Sequence, residues 1–344
     1  MNDLRDSFSD RALRLFPGGS NGEYGIPEGD APVMDHGTGC RVWDTAGREY
    51  LDMTMAWGSA LVGHAHPKVL EAANSASARG ANFAAVTRPM VELAERIVDL
   101  SPCVDQIRFV ASGTEATMLC LRAARAATGR SKILKFEGAY HGQHPEGIAS
   151  LVGNEPPDMP NSDPSGTGAP WVQRDVLVAP YNDLTATERI LNQHGGELAA
   201  VIVEPLHRCI PPVDGFLQGL REATSRHGIV LVFDEVVTGF RLALGGAQEY
   251  YGVSPDLVAY GKGLGGGFPI GAYGGREEIM EAVNEQRLPG PNYAWSASTT
   301  GGNPVSSAAA LAAIDVFSEP GVYDRLHSLG KQLRTCLLYT SPSP

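Results

Sequence analysis

The chain has 344 residues, a formal net charge of −12, 43% hydrophobic residues and 19% charged residues. This length suggests about two domains; the composition is too apolar for a disordered chain, and the acidity disfavours nucleic acid or an anionic membrane as a partner. There is no run of about 18 apolar residues to predict a membrane span, the N-terminal stretch reads as neither signal nor transit peptide, and five scattered cysteines without a CxxC pair predict a reduced, cytoplasmic protein without structural zinc.

The first fifty residues are rich in turn formers, and Arg41 to Met53 alternates around Asp44-Thr45-Ala46-Gly47 as a hairpin does. Helices and strands then alternate. Lys68 to Ala78 and Met90 to Leu100 read as helices, Gln106 to Ala111 as a strand, and Glu115 to Thr128 as a helix. Ile133 to Phe136 is a short strand, and the polar stretch Gly147 to Gln173 reads as a long surface loop. Strand Val176–Ala179, helix Leu184–Gln193, strand Ala200–Val203, helix Phe216–His227, strand Val230–Phe233 and strand Leu257–Ala259 follow. Short, continuously apolar strands alternating with helices predict an α/β domain: a mostly parallel, doubly wound sheet covered on both faces. Pro304 to Val316 reads as an Ala-rich helix and Tyr323 to Leu333 as the start of another. Residues 336–344, from Cys336 on, break the preceding amphipathic pattern and read as a non-native tail, with the true C-terminal part missing.

Four features carry chemistry. Ile229 to Arg241 brings Asp234 and Glu235 to the carboxyl end of a buried strand, the edge where open α/β sheets bind ligands. Asp234 equally reads as the cap of the next turn. Leu257 to Pro269 delivers Lys262 from a buried strand into a glycine loop. An amine walled in by apolar residues is costly unless neutralised or covalently used. Gly261, Gly263 and Gly266 fit G-x-G-x-x-G, but the following Gly-Phe-Pro stretch cannot form the helix a dinucleotide site needs, and no Lys-Ser/Thr pair makes a phosphate loop of the Walker kind. Ser112, Gly113 and Thr114 open a helix after a strand, where free N–H groups and the helix dipole favour an anion, although a Ser/Thr cap is the commoner reason for such residues. Tyr140 and His141 follow the next strand and offer an aromatic face.

A strand-end lysine, a strand-end acid, an anion cradle and an aromatic plate on one sheet edge suit pyridoxal 5′-phosphate. The chain has five lysines, and the other four have ordinary readings. Lys68 follows Pro67 at a helix start, Lys132 and Lys135 flank a strand, and Lys331 lies on a late helix.

The sequence resembles the fold-type I, class III aminotransferases, most closely the glutamate-1-semialdehyde 2,1-aminomutase group. The matching stretches are FPGG (Phe16–Gly19), WGSALVGHAHP (Trp57–Pro67), SGTEATM (Ser112–Met118), KFEGAYHG (Lys135–Gly142), VEP (Val203–Pro205), VFDEVVTGFR (Val232–Arg241), GKGLGGGFPIGAYGG (Gly261–Gly275) and GGNP (Gly301–Pro304). The resemblance implies a large cofactor-binding α/β domain over 61–303. A smaller domain would then begin with residues 1–60 and resume at 304–335. It also implies that Lys262 forms the Schiff base and that Asp234 pairs with the pyridine nitrogen. Val236 and Tyr140 would flank the ring, Ser112, Gly113 and Thr114 would bind phosphate, and Glu204 and His141 would line the site. Thr299 would reach the phosphate of a neighbouring subunit, so the resemblance implies a homodimer acting on a small amine or amino acid and a keto acid or aldehyde.

Two departures bear on substrate. The segment Ser20 to Gly25 after FPGG has no arginine, where the aminomutases carry one for the substrate carboxylate, and the segment after Glu204-Pro205 is short. Arg208 is either a replacement carboxylate binder or an ordinary solvated loop residue. Transfer between separate molecules and intramolecular aminomutation are the two leading readings; a lyase or epimerase on the same cofactor is more distant, and a cofactor-binding fragment without activity is the non-enzyme alternative. The His64/His66 and His141/His144 pairs have no third ligand at a usual zinc spacing, so no metal is expected.

Overall fold

The computed structural model describes residues 7–22, 32–151, 162–288, 290 and 292–340. Helix α1 (Phe8–Leu15) opens the described chain, with Ser7 and Asp10 capping it reciprocally. A small antiparallel sheet follows, built from β1 (Met34–Thr38), β2 (Arg41–Asp44) and β3 (Glu49–Leu51). The expected hairpin is β2 and β3, and Asp44 organises its turn by accepting hydrogen bonds from the backbone of Ala46 and Arg48 and from the Tyr50 hydroxyl.

The body of the protein is a seven-stranded sheet in the order β4-β10-β9-β8-β7-β5-β6. Its strands are β4 (Gln106–Val110), β5 (Lys132–Phe136), β6 (Val176–Ala179), β7 (Leu198–Val203), β8 (Val230–Glu235), β9 (Leu257–Tyr260) and β10 (Gly271–Gly275). Residues of β7, β8 and β9 are buried on both faces, which explains why their sequences are apolar up to Asp234 and Glu235 at the end of β8. Side-chain alternation assigns Leu231 and Phe233 to a first core and Val230 and Val232 to a second. Helices α2 (Pro67–Ser77), α3 (Arg88–Leu100), α5 (Leu184–His194), α6 (Phe216–His227) and α8 (Pro304–Phe317) bury residues in the first core, and the short α7 (Gly246–Tyr251) precedes β9. Helix α4 (Gly113–Thr128) fills the second, where Ala116, Cys120, Ala123 and Ala124 allow it close to Val232, Ala259 and Tyr273.

Three expectations need correction. The sequence gives no strand at Gly271–Gly275, yet β10 lies within the sheet and runs antiparallel to both β4 and β9. Its glycines mask it: a Cβ on Gly271 would lie 2.2 Å from the Ser112 carbonyl oxygen, and one on Gly275 2.1 Å from that of Asp256. The polar stretch after residue 147 is not wholly a surface loop, because Ser162, Ala169 and Val172 are buried; residues 152–161 lie outside the described ones. Finally, helix α9 (Val322–Thr340) runs unbroken through Cys336 to Thr340. Thr335 to Thr340 contains no helix breaker, so a helix already nucleated upstream propagates through it. Residues 341–344 lie outside the described ones.

Candidate active site

The parallel strands β4, β5, β7, β8 and β9 end on one edge, and the segments leaving them line a cleft of about 200 Å³. Ser112, Gly113 and Thr114 follow β4, Tyr140 and His141 follow β5, and Glu204 follows β7. Asp234 is the penultimate residue of β8, and Lys262 follows β9. Val236 completes the set. In the β8–β9 register Asp234 faces Ala259 and Glu235 faces Tyr260, which brings the lysine loop out beside the acid.

Alternation separates the two acids. Asp234 turns toward the α4 side and into the cleft, whereas Glu235 is buried on the opposite face. There Glu235 accepts hydrogen bonds from Thr238, from the backbone of Ala247 and Gln248, and from the Gln248 side chain. Burial raises its carboxyl pKa. Asp234 Oδ2 sits 2.7 Å from His141 Nδ1, and its Oδ1 accepts from Val236 N at 3.0 Å. The turn-capping role is therefore real, and it fixes the carboxylate that faces the cleft.

Lys262 has φ +41, a left-handed conformation uncommon outside glycine, at the start of a short 3-10 turn rather than a helix. Burial lowers its amine pKa, with Asp234 and then Glu204 opposing and Arg241 and Arg208 reinforcing the shift. Gly261 lets the loop approach α4: a Cβ there would lie 3.2 Å from Val236 Cγ1 and 3.3 Å from Gly113 Cα.

Ser112 caps α4 by accepting from Glu115 N at 3.2 Å, a contact worth about 1 kcal/mol. The first N–H groups of a helix have no intrahelical acceptor, so Gly113 and Thr114 still present theirs to the cleft. Glu204 ties two loops together, with Oε1 accepting from Tyr140 N at 2.8 Å and Oε2 from Arg208 N at 3.0 Å. The Arg208 guanidinium lies over the Tyr140 ring, 5.9 Å from its centroid, and donates to the Gly138 carbonyl at 3.1 Å.

Nine of the ten expected site residues thus meet in one cleft. The tenth, Thr299, is exposed and is not among the cleft's lining residues. Its carbonyl accepts from Asn82 Nδ2 at 3.0 Å. The structure adds Thr117 and Thr238 to the lining. Thr117 lies one turn beyond Gly113, so helical spacing from the cradle was the signal for it. The histidine pairs go to separate carboxylates: His64 meets Asp52 at 2.7 Å and His144 meets Glu146 at 3.2 Å. Lys135 departs most from its reading. It lies within β5 rather than flanking it and is fully buried, and burial lowers its pKa to about 7 against the pull of Glu204 and Glu137.

The residues fit pyridoxal phosphate. The buried Nε2 of His141 has no partner, the start of α4 offers N–H groups to a phosphate, and Tyr140 and Val236 supply flat or apolar surfaces for a ring.

The aminotransferase class-III family profile matches residues 27–343, and the chain belongs to that family, whose members are enzymes of amino-group transfer. Among curated relatives it is 45% identical to a glutamate-1-semialdehyde 2,1-aminomutase from Thermomicrobium roseum over 339 residues, which is 95% of this chain and 76% of that protein. It is 42% identical to a protein of the same name from Acetivibrio thermocellus over 332 residues, 94% of this chain and 76% of the relative. Among solved structures, an omega-transaminase from Sphaerobacter thermophilus superposes with a TM-score of 0.89 at 40% identity, covering 95% of this chain and 76% of that one. A β-phenylalanine aminotransferase from Variovorax paradoxus gives 0.84 at 33%, covering 96% and 72%. Among the described residues no helix is long and apolar enough to cross a membrane.

Proposed function

We propose that the cleft holds pyridoxal 5′-phosphate on Lys262 and moves an amino group from a small amine or amino acid to a separate keto acid or aldehyde. The observation that carries this is the meeting of a half-buried, pKa-lowered Lys262, the His141-braced Asp234 and the open end of α4 in one cleft.

When bound, the cofactor supplies an aldehyde for the amine and a ring that accepts electrons from the substrate's Cα. Lys262 would hold that aldehyde through Nζ and, with its amine free, would move the substrate's Cα proton, a role typically worth about 10²–10⁴-fold. Asp234 holds a proton on the ring nitrogen, because its negative charge favours the protonated form. His141 keeps Asp234 oriented. Gly113 and Thr114 bind phosphate through their backbone N–H groups, Ser112 shapes that turn, and Tyr140 and Val236 orient the ring between them.

The lack of arginine between Ser20 and Gly25 favours transfer between separate molecules over intramolecular aminomutation. A panel of amino donors with keto acid and aldehyde acceptors, read by mass spectrometry, tests this. Amino exchange between donor and acceptor supports it; conversion of glutamate-1-semialdehyde to its isomer with no exchange on any pair would establish the aminomutase reading.

Thr299 fits a role in a second copy's site. It lies outside its own chain's cleft, and nearby Phe83 and Val86 are 52% and 72% exposed. Its neighbour Ser298 and Val86 line an open groove of about 1120 Å³ beside α3 and β4. A homodimer formed over this face would cover the apolar side chains and bring Thr299 to the partner's phosphate.

A further inference from the structure

We infer that Lys135 is a positioning residue for the cofactor, holding the segment that carries Tyr140 and His141; the inference rests on the reading of the cleft as a pyridoxal phosphate site. Residues 137–149 leave β5, pass Tyr140 and His141 along the cleft, and return to the strand's C-terminal end, where Gly138 N donates to the Ser150 carbonyl at 2.9 Å. Lys135 sits inside this excursion with no exposed surface. Its Nζ donates to the carbonyl oxygens of Ala139 at 2.8 Å and Gly147 at 3.1 Å, and also to that of Ala149. In its ammonium form Lys135 has three N–H groups and no acceptor, so the three carbonyls satisfy it completely and favour that form against the burial that lowers its pKa.

These anchor points bear on the cleft. Ala139 immediately precedes Tyr140, whose N–H is held by Glu204. The Gly147 carbonyl is shared, since it also accepts from His141 N at 3.0 Å. Thr117 reaches the same segment from α4 by donating to the His141 carbonyl. Lys135 from below, Glu204 from β7 and Thr117 from α4 therefore fix Tyr140 and His141 from three sides. Of the three, Lys135 alone bonds both the outgoing and the returning strands of the excursion. Removing its donors leaves buried carbonyls unpaired, and the segment gains freedom at the residues that flank the ring and brace Asp234.

Lys135→Met keeps the length of the side chain and removes its donors. In the full chain, pyridoxal phosphate titrated into the apo-protein and followed by its visible absorbance on Lys262 should bind about 10-fold more weakly or worse. The pH midpoint of that absorbance should also move, because Asp234 and the ring face are displaced. Leu134→Ala, a core change on the other face of the same strand, should lower the melting temperature but leave affinity and midpoint nearly unchanged. Lys135→Gln, which restores two N–H donors, should recover part of the affinity and provides the measurement if the Met variant does not fold. Wild-type affinity and midpoint in either Lys135 variant would overturn the inference, as would parallel losses in Leu134→Ala. No uptake of pyridoxal phosphate by the wild-type protein would overturn both this inference and the cofactor assignment beneath it.

Discussion

His141 Nδ1 and Asp234 Oδ2 lie 2.7 Å apart in a site where both residues are buried, and the other nitrogen of the same imidazole has no partner. A histidine that donates through Nδ1 holds the carboxylate in one rotamer, and the Val236 N–H fixes its other oxygen. The acid is thus aimed before any ligand arrives, which spares reorganisation during reaction.

Asp234→Asn keeps the shape and removes the charge. A carboxylate partnered with a protonated ring nitrogen would raise that nitrogen's proton affinity by about 1–3 pKa units, so its loss should lower kcat about 10- to 1000-fold while the fold persists. Measuring kcat beside the melting temperature tests this; an Asn variant with undiminished kcat would remove Asp234 from its role.

Thr299→Ala should weaken pyridoxal phosphate retention in the proposed homodimer without disturbing the single chain, because Thr299 is not among the residues lining its own cleft. Equilibrium dialysis and analytical ultracentrifugation read the two quantities separately. Unchanged cofactor affinity in a dimeric variant would speak against a shared site.

The lowered pKa of Lys262 predicts a pH dependence of defined sign. As pH rises the folded protein releases this proton before the unfolded chain does, so apo-protein stability contributed by Lys262 increases from its folded pKa up to the ordinary 10.5. The rate of covalent capture of pyridoxal phosphate should rise with pH and reach its midpoint below 10.5, since only the free amine attacks. Stopped-flow absorbance across pH gives the midpoint, and one at or above that of a lysine peptide would contradict the burial argument.

Much of the site was legible because it stands at the ends of strands. An apolar run that stops at an acid or a lysine announces both the strand and the edge, and Asp234 and Lys262 are such residues. Strand β10 was not legible, since Gly-Ala-Tyr-Gly-Gly has the composition of a turn and its glycines answer to backbones brought close only by the finished sheet. Lys135 was hidden for a related reason. Its burial depends on residues 137–149 folding back over it, and a lysine flanking a strand has no local sign of that enclosure. The helical continuation to Thr340 shows the converse: the tail's sequence has no amphipathic pattern, yet without a breaker the preceding helix extends through it.

The central claim is that Lys262, among five lysines, is the residue that holds the cofactor. Borohydride reduction of the protein loaded with pyridoxal phosphate, followed by peptide mapping, tests it most directly. A pyridoxyl group should appear on Lys262 alone, and Lys262→Ala should lose the visible absorbance and the transfer activity while retaining some cofactor through the start of α4. A pyridoxyl group on Lys132 or Lys135, or full activity in Lys262→Ala, would contradict it.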